Sequence, residues 1–204
     1  MAVLATDTFT RADNLDLGTD WDVPTGGSAF QLLNNAAAPR NPDTDAVESN
    51  NSATWPNDQY AQCAATVSGT TSTAGPGPAV RIATGALTLY RCVVSHAASN
   101  NVELAKIVSG TYTQLALRTQ AWTDGDVLRL EVAGTTLKVF RNGTQMGANV
   151  TDSSIASGRA GIGFSSVTTS ASLDNWEGGD FTTAAPPGHA ATGMTPAVQR
   201  AAFW

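Results

Sequence analysis

The sequence predicts an all-β fold, an antiparallel sandwich of many short strands. Apolar and polar residues alternate with a period of two in one segment after another, as half-buried strands require. Between these segments lie clusters of Gly, Pro, Asn, Asp and Ser, such as TGG, AGPGP and ASNN, which are typical of turns. No helical period occurs before residue 195. Strands joined by polar turns, without helices between them, predict two packed antiparallel sheets.

The clearest strand is DVLRLEV at 126–132, in which alternate residues from Leu128 onward are apolar. It leads through a tight Ala133-Gly134 turn into a second alternating segment, TTLKVF at 135–140. Asn142-Gly143 follows between apolar runs and predicts a hairpin, because both residues tolerate positive φ. In chain order, we expect strands at 28–33, 60–67, 79–83, 87–95, 102–108, 112–118, 126–132, 135–140, 159–165 and 171–176.

The composition changes after Phe181, where alternation stops and small residues and prolines take over. We therefore expect residues 1–181 to form one domain and 182–204 to form an extended C-terminal docking tail. Thr195 followed by Pro196 is typical of a helix N-terminus, but the nine residues that follow Thr195 are too few for a stable helix in water. We expect this segment to become ordered only against the surface of a partner protein. The expected contacts are Pro196, Val198, Phe203 and Trp204.

Charge and hydropathy exclude several classes of function. The chain has 17 acidic against 11 basic residues, and its only lysines are Lys106 and Lys138. A nucleic-acid-binding surface needs clustered Lys and Arg, so we expect no nucleic-acid partner. No apolar run is long enough to span a membrane. The first residues, MAVLATDTFTRAD, lack the basic and apolar regions of a signal peptide, and we expect synthesis in a cytoplasm without export by the usual route.

Five segments occur in a characteristic order along the chain: DTFTRADNLDLGTDW, VELAKIVSGTYTQLA, DGDVLRLEVAGTTLKVFRNG, GRAGIGF and SLDNW. This order of motifs resembles that of concanavalin A-like (laminin G-like) jelly-roll domains. The resemblance covers about residues 7–181. It implies a jelly-roll β-sandwich of two antiparallel sheets, with the first strand beside the last, so that Asp7–Phe9 would lie next to Leu173–Trp176. The family includes lectins, carbohydrate-binding modules, glucanases and modules of tailed-bacteriophage virion proteins.

The carboxylates do not predict catalysis. Glycoside hydrolysis needs two acids that flank the scissile bond, and the glucanases of the resembling family carry theirs at alternating positions on one strand. The glutamates of this chain are Glu48, Glu103, Glu131 and Glu177, and none stands in an E-x-D-x-x-E arrangement. We interpret Glu131 as an outward-facing ion-pair partner of Arg129, and we place Glu177 in a glycine-rich turn after the last strand. No GxSxG nucleophile motif occurs either, so we expect a protein that is not an enzyme.

Metal and disulfide chemistry are weakly indicated. In related glucanases an aspartate of the last strand helps to bind a structural calcium ion. Asp174 matches that position, and Asp7 is its candidate neighbour. Calcium prefers six to eight oxygen ligands, and no dense acidic loop accompanies these two residues. We therefore expect no cofactor and interpret Asp174 as a group that satisfies backbone donors. Cys63 and Cys92 are interpreted as buried thiols.

Two functional hypotheses remain. The first is a non-enzymatic virion protein of a tailed bacteriophage (a head-decoration, minor capsid or tail module), held to a capsid or tail subunit, or to another copy of itself, by its C-terminal tail. The second is a carbohydrate-binding lectin or module, and the two roles can coexist. If a glycan binds, we expect it to stack on Trp55, Tyr112 or Trp122; the alternative is that each of these rings packs in the core or covers its edge.

Overall fold

The computed structural model describes residues 1–41, 45–67, 75–95, 101–119, 122–165 and 171–181, which contain strands and turns and no helix. The strands are β1 (Ala2–Asp7), β2 (Trp21–Asp22), β3 (Phe30–Leu32), β4 (Ala37–Pro39), β5 (Val47–Asn50), β6 (Gln59–Thr66), β7 (Pro76–Ile82), β8 (Leu89–Ser95), β9 (Asn101–Val108), β10 (Thr111–Thr119), β11 (Val127–Ala133), β12 (Thr136–Arg141), β13 (Thr144–Gln145), β14 (Val150–Thr151), β15 (Arg159–Phe164) and β16 (Ser172–Asp180).

The strands form two antiparallel sheets packed face to face, which confirms the predicted β-sandwich. The nine-stranded sheet has the order β13-β12-β11-β6-β16-β4-β3, with β1 added to β16 and β14 added to β12. The seven-stranded sheet has the order β10-β9-β8-β7-β15-β5-β2. The first strand lies beside the last, as the resemblance implied, and Asp7 is the partner of Trp176. Phe9 follows the end of β1 and does not take part in that pairing.

The core fills the space between the two sheets. Alternate residues of β11 and β8 supply it, Leu128 and Leu130 from one sheet and Tyr90 and Cys92 from the other. Trp176 of β16 is its largest fully buried side chain. Burial of this apolar area is the main favourable contribution to folding.

The predicted hairpin at Asn142-Gly143 is confirmed. Both residues have positive φ, 47° and 78°, and they join β12 to β13 through the pair Arg141–Thr144. Positive φ at both central residues is the geometry of the two-residue hairpin turn.

Two glycine-rich segments that the sequence predicts as turns are strands instead. AGPGP contributes the start of β7, and the segment that holds Glu177 continues β16 as far as Asp180. In both places the backbones are too close for a side chain. A Cβ at Gly77 would lie 1.7 Å from the carbonyl oxygen of Cys92, and one at Gly179 would lie 2.3 Å from that of Ala2. The glycines therefore serve strand packing, as they do where backbones approach closely.

Phe181 is the last described residue, and its N–H donates to the carbonyl of Asp58 (3.1 Å) just after β16. The predicted docking residues Pro196, Val198, Phe203 and Trp204 lie outside the described residues. Within the described part of the chain, no helix has the length and hydropathy needed to cross a bilayer.

Candidate functional site

The seven-stranded sheet carries charged and aromatic side chains on its outer face. Along β8, Tyr90 and Cys92 point into the core, so Leu89 and Arg91, which alternate with them, point outward. The outward-facing apolar residues form a small second cluster. Its members are Val47, Ala79, Ile82, Leu89 and Ile107, with Leu87 packed against them.

Strand register brings three functional side chains together on this face. Ile107 of β9 pairs with Leu89 on one side and with Tyr112 of β10 on the other. One row further along the same face, Ala105 pairs with both Arg91 and Gln114. Glu103 follows in the next row of β9. Because partners in an antiparallel pair point to the same face, Arg91, Glu103 and Tyr112 are neighbours.

Tyr112 is the accessible aromatic residue of this group, with 46% of its surface exposed on the open edge strand β10. Its hydroxyl donates a hydrogen bond to the Glu103 carboxylate, and the Arg91 guanidinium carbon lies over its ring, 5.9 Å from the centroid. Partial burial, with Glu103 as the second cause, raises the pKa of the Tyr112 hydroxyl to about 12. The hydroxyl therefore stays protonated and keeps the ring tied to the sheet.

Arg91 lies beneath Tyr112 and connects several parts of the fold. It is only 1% exposed, and its Nη1 donates to the Phe164 carbonyl (3.0 Å) and lies 3.2 Å from Oδ1 of Asp45. Asp45 is 34% exposed and precedes β5, so one arginine joins β8, β15 and a loop. We call Asp45, Arg91, Glu103 and Tyr112 the Tyr112 patch. It offers solvent an aromatic ring and two carboxylates, and Arg91 lies beneath them.

A shallow cleft lies where the turn before β10 meets the loop after β2. Its volume is about 230 Å³, and small residues dominate its walls. The lining residues are Thr25, Gly26, Gly85, Ala86, Leu87, Ser109 and Gly110. This cleft begins two residues before Tyr112 along the chain, so the patch has an open groove at one end.

The other two aromatic candidates pack against the core. The indole N–H of Trp55 donates to the Asn50 carbonyl (2.7 Å), and its ring contacts Trp176 at 6.0 Å between centroids. Trp122 is buried and directs its indole N–H toward the carbonyl of Ala65 in the nine-stranded sheet. Tyr112 therefore presents the most accessible ring of the three.

The two calcium candidates have other partners. Both carboxylate oxygens of Asp7 bind the Arg11 guanidinium (2.6 and 2.9 Å), and one of them also accepts the Trp21 indole N–H. Burial opposes ionisation of Asp7, but these bonds outweigh it and lower its pKa. Asp174 accepts the backbone N–H of Asn175 (2.7 Å). The described residues contain no group of three or more His, Cys, Asp or Glu side chains able to hold a metal ion.

The remaining sequence interpretations can be checked directly. Cys63 and Cys92 are buried free thiols, as expected, and burial raises the pKa of both. Glu131 pairs with Arg129 (2.8 Å), also as expected, but it is buried and does not face solvent. Glu177 accepts the hydroxyl of Tyr60 (2.7 Å) on the outer face of the nine-stranded sheet, which gives it a structural partner.

Sequence reasoning identified Tyr112 but not its neighbours. Asp45 reaches Arg91 from a distant part of the chain, which no local pattern reports. Arg91 did leave a signal, because a charged residue inside the apolar segment LTLYRCVVS requires a buried partner.

Comparison with known proteins finds similarity in structure and not in sequence. No protein-family model matches the chain, and no curated protein matches it either. The structure is similar to the carbohydrate-binding module CBM66 from Bacillus subtilis, with a TM-score of 0.64 and 19% identity over 78% of this chain and 94% of that one. A mutant of the GH43 protein BlXynB from Bacillus licheniformis matches with a TM-score of 0.60 and 14% identity over 86% of this chain, but over only 39% of its own length.

A third similar structure is the CBM2 module of the evolved Dit protein of Lactobacillus casei BL23 phage J-1. It matches with a TM-score of 0.51 and 12% identity over 86% of this chain and 94% of that module. At such identities the likeness establishes the β-sandwich fold.

Proposed function

We propose that this protein is a non-catalytic carbohydrate-binding module and that the Tyr112 patch is its binding surface. The observation that carries the proposal is the half-exposed Tyr112 ring, fixed in place by Glu103 and Arg91 on the edge strand β10. The patch is a surface and not a closed pocket, which suits a segment of an extended polymer.

The chemistry of the patch fits a sugar. The C–H-bearing face of a sugar ring packs on an aromatic ring, which combines apolar area with a polar edge. Carboxylate oxygens accept hydrogen bonds from hydroxyl groups, and Asp45 and Glu103 supply such acceptors. Tyr112 loses little conformational freedom on binding because its hydroxyl is already held by Glu103.

The structural comparisons support a module of this kind, since two of the similar structures carry the name of carbohydrate-binding modules. The described carboxylates support the absence of catalysis. Glu131 and Glu177 are engaged by Arg129 and Tyr60, and Glu48 is buried. We therefore expect no turnover of glycans that the protein binds.

The test is Tyr112→Ala, with binding measured on a glycan array and then by titration of the best ligand. Loss of the stacking surface should weaken binding about tenfold, the upper end of an aromatic contact. Leu15→Ala is the matched control, because Leu15 is also exposed but lies in the loop beside the opposite sheet. Equal binding by wild type and Tyr112→Ala would show that the patch is not the site.

A second candidate function is a virion module of a tailed bacteriophage that adheres to a glycan. It is favoured by the similarity to the phage Dit module. In this proposal the tail, 182–204, docks on a capsid or tail subunit or on another copy of the chain, and the sandwich faces outward. Burial of a large aromatic side chain contributes roughly 1.5–3 kcal/mol, so Phe203 and Trp204 would supply much of the affinity.

The double variant Phe203→Ala with Trp204→Ala tests this candidate. It should abolish co-sedimentation with assembled particles and leave the melting temperature of the sandwich unchanged. A lower melting temperature with intact association would show instead that the tail packs on its own domain.

A further inference from the structure

We infer that the Tyr112 patch takes an uncharged glycan, and not an acidic one such as a uronate polymer. The inference rests on the proposed function and adds the chemical class of the ligand. It follows from the burial of the charged groups, since the Asp45 and Glu103 carboxylates are partly exposed to solvent and the Arg91 guanidinium is buried.

The exposed charges of the patch are negative. Asp45 keeps a third of its side-chain surface open, and Glu103 is partly exposed beside the Tyr112 hydroxyl. A sugar hydroxyl can donate to either carboxylate. A sugar carboxylate cannot, and it would meet the like charge of Glu103 at short range, which is unfavourable at a protein surface.

The positive charge of the patch is unavailable to an anion. Arg91 is 1% exposed, and Asp45 and the Phe164 carbonyl already occupy its Nη1. Capture of an anionic ligand by an arginine requires a guanidinium that can present its donors to the ligand. Arg91 is a positioning residue that fixes the Asp45 loop and supports the Tyr112 ring.

Two cations near the patch are already engaged within the described residues. On the same face Arg159 is paired with Asp22, and at the edge of β10 Arg118 donates to the Ala148 carbonyl. The whole chain carries a formal net charge of −6, which repels polyanions at low ionic strength.

A cationic ligand is less well matched than a neutral one. The charge of Asp45 is compensated by Arg91, and the Glu103 carboxylate is engaged by the Tyr112 hydroxyl. Both carboxylates therefore act as fixed hydrogen-bond acceptors with lone pairs to spare. Acceptors fixed in this way are suited to the hydroxyl groups of a neutral sugar.

The experiment is affinity gel electrophoresis of the full chain against three sets of soluble polymers. The sets are neutral polysaccharides (xyloglucan, galactomannan, levan and arabinoxylan), polygalacturonate, and chitosan. We expect retention by a neutral polymer, its loss in Tyr112→Ala, and a change of less than about twofold between low and physiological salt, since screening acts on charged pairs.

Glu103→Gln separates a neutral from a cationic ligand. Because the amide oxygen still accepts a hydrogen bond, binding of a neutral glycan should fall by less than about threefold. Asp174→Asn is the control, since it removes one negative charge at the opposite sheet. Retention of chitosan alone, lost in Glu103→Gln, would overturn the inference.

The outcomes also separate this inference from the proposed function. Retention by polygalacturonate that depends on Tyr112 would leave the binding function standing and overturn the ligand class. Absence of retention by every polymer and by a glycan array would overturn both.

Discussion

At the scale of single residues, Glu48 is a carboxylate that the fold buries and supplies with a hydrogen-bond donor. Glu48 lies on β5 of the seven-stranded sheet, is 3% exposed, and accepts the backbone N–H of Phe30 from the other sheet (2.8 Å). Burial raises its pKa to about 7. The Phe30 hydrogen bond opposes this shift, and the charges of Asp16 and Asp22 add to it. The residue is therefore protonated in the folded state at a pH where an unfolded chain has already lost that proton.

This difference between the folded and unfolded pKa of Glu48 determines how the stability of the protein changes with pH. Because the folded pKa of Glu48 exceeds its ordinary value of 4.5, its contribution to stability declines as the pH rises from about 4.5 to about 7. Glu48→Gln should remove this loss, which amounts to at most about 3 kcal/mol.

Thermal melts of both proteins at about pH 5 and about pH 8 provide the measurement. The melting temperature of Glu48→Gln relative to wild type should be higher at the upper pH. The lowered pKa values of Asp7 and Asp126 act only in more acidic solution and do not interfere. A difference that is the same at both pH values would contradict the assignment.

At the scale of elements, β7 and β15 pair through two glycines that differ in the space available for a side chain. Gly77 and Gly163 are register partners. A Cβ at Gly77 would collide with the carbonyl oxygen of Cys92 in β8, whereas one at Gly163 would lie 3.6 Å from the Cβ of Arg91, an ordinary contact. The close approach of β7 to β8 therefore depends on Gly77.

The two alanine substitutions should behave differently. Gly77→Ala should lower the free energy of unfolding by about 1–3 kcal/mol or more, because the collision is with backbone that cannot turn away. Gly163→Ala should stay within about 1 kcal/mol of wild type. Chemical denaturation of both variants measures this, and equal losses would show that the strand spacing is not controlled at Gly77.

The elements that sequence analysis could find are those with a local signal. Alternation marks β6, β9, β11 and β12, because each buries one face more deeply than the other. It misses β5, VESN, in which all four residues are buried, and β2 and β4, which are too short to show a period. It misplaces the ends of β7 and β16, because glycine and proline are ordinarily turn residues.

The candidate site, like the fold, could be predicted from the sequence only in part. Tyr112 could be found because an aromatic residue in an alternating segment is visible in the sequence. Its relation to Asp45 and Arg91 could not, since it depends on the register of three strands and on a contact between distant segments. Trp122 looked equivalent to Tyr112 in sequence, but its neighbours turn it into the core.

At the scale of the whole molecule, the described residues form one main hydrophobic core between the two sheets. Both sheets contribute to one continuous cluster, and the last strand is paired on both sides, with β6 and with β1. The tail should therefore not be needed for folding.

Residues 1–181 should fold alone, with a β-type circular dichroism spectrum and a cooperative melt within a few degrees of the full chain. Residues 1–176 are the control, because this truncation removes the segment Glu177–Asp180 that pairs with both neighbouring strands. A non-cooperative melt of the longer fragment would show that the domain extends beyond Phe181.

The pairing of β1 with β16 has a consequence for engineering. Ala2 and Asp180 are register partners, so the two ends of the domain emerge side by side, about 5 Å apart. A short linker could join them into a ring without strain, and new ends could be opened at the exposed Asn142-Gly143 turn. For the same reason the sandwich could be grafted into a single surface loop of a host protein, as adjacent termini allow.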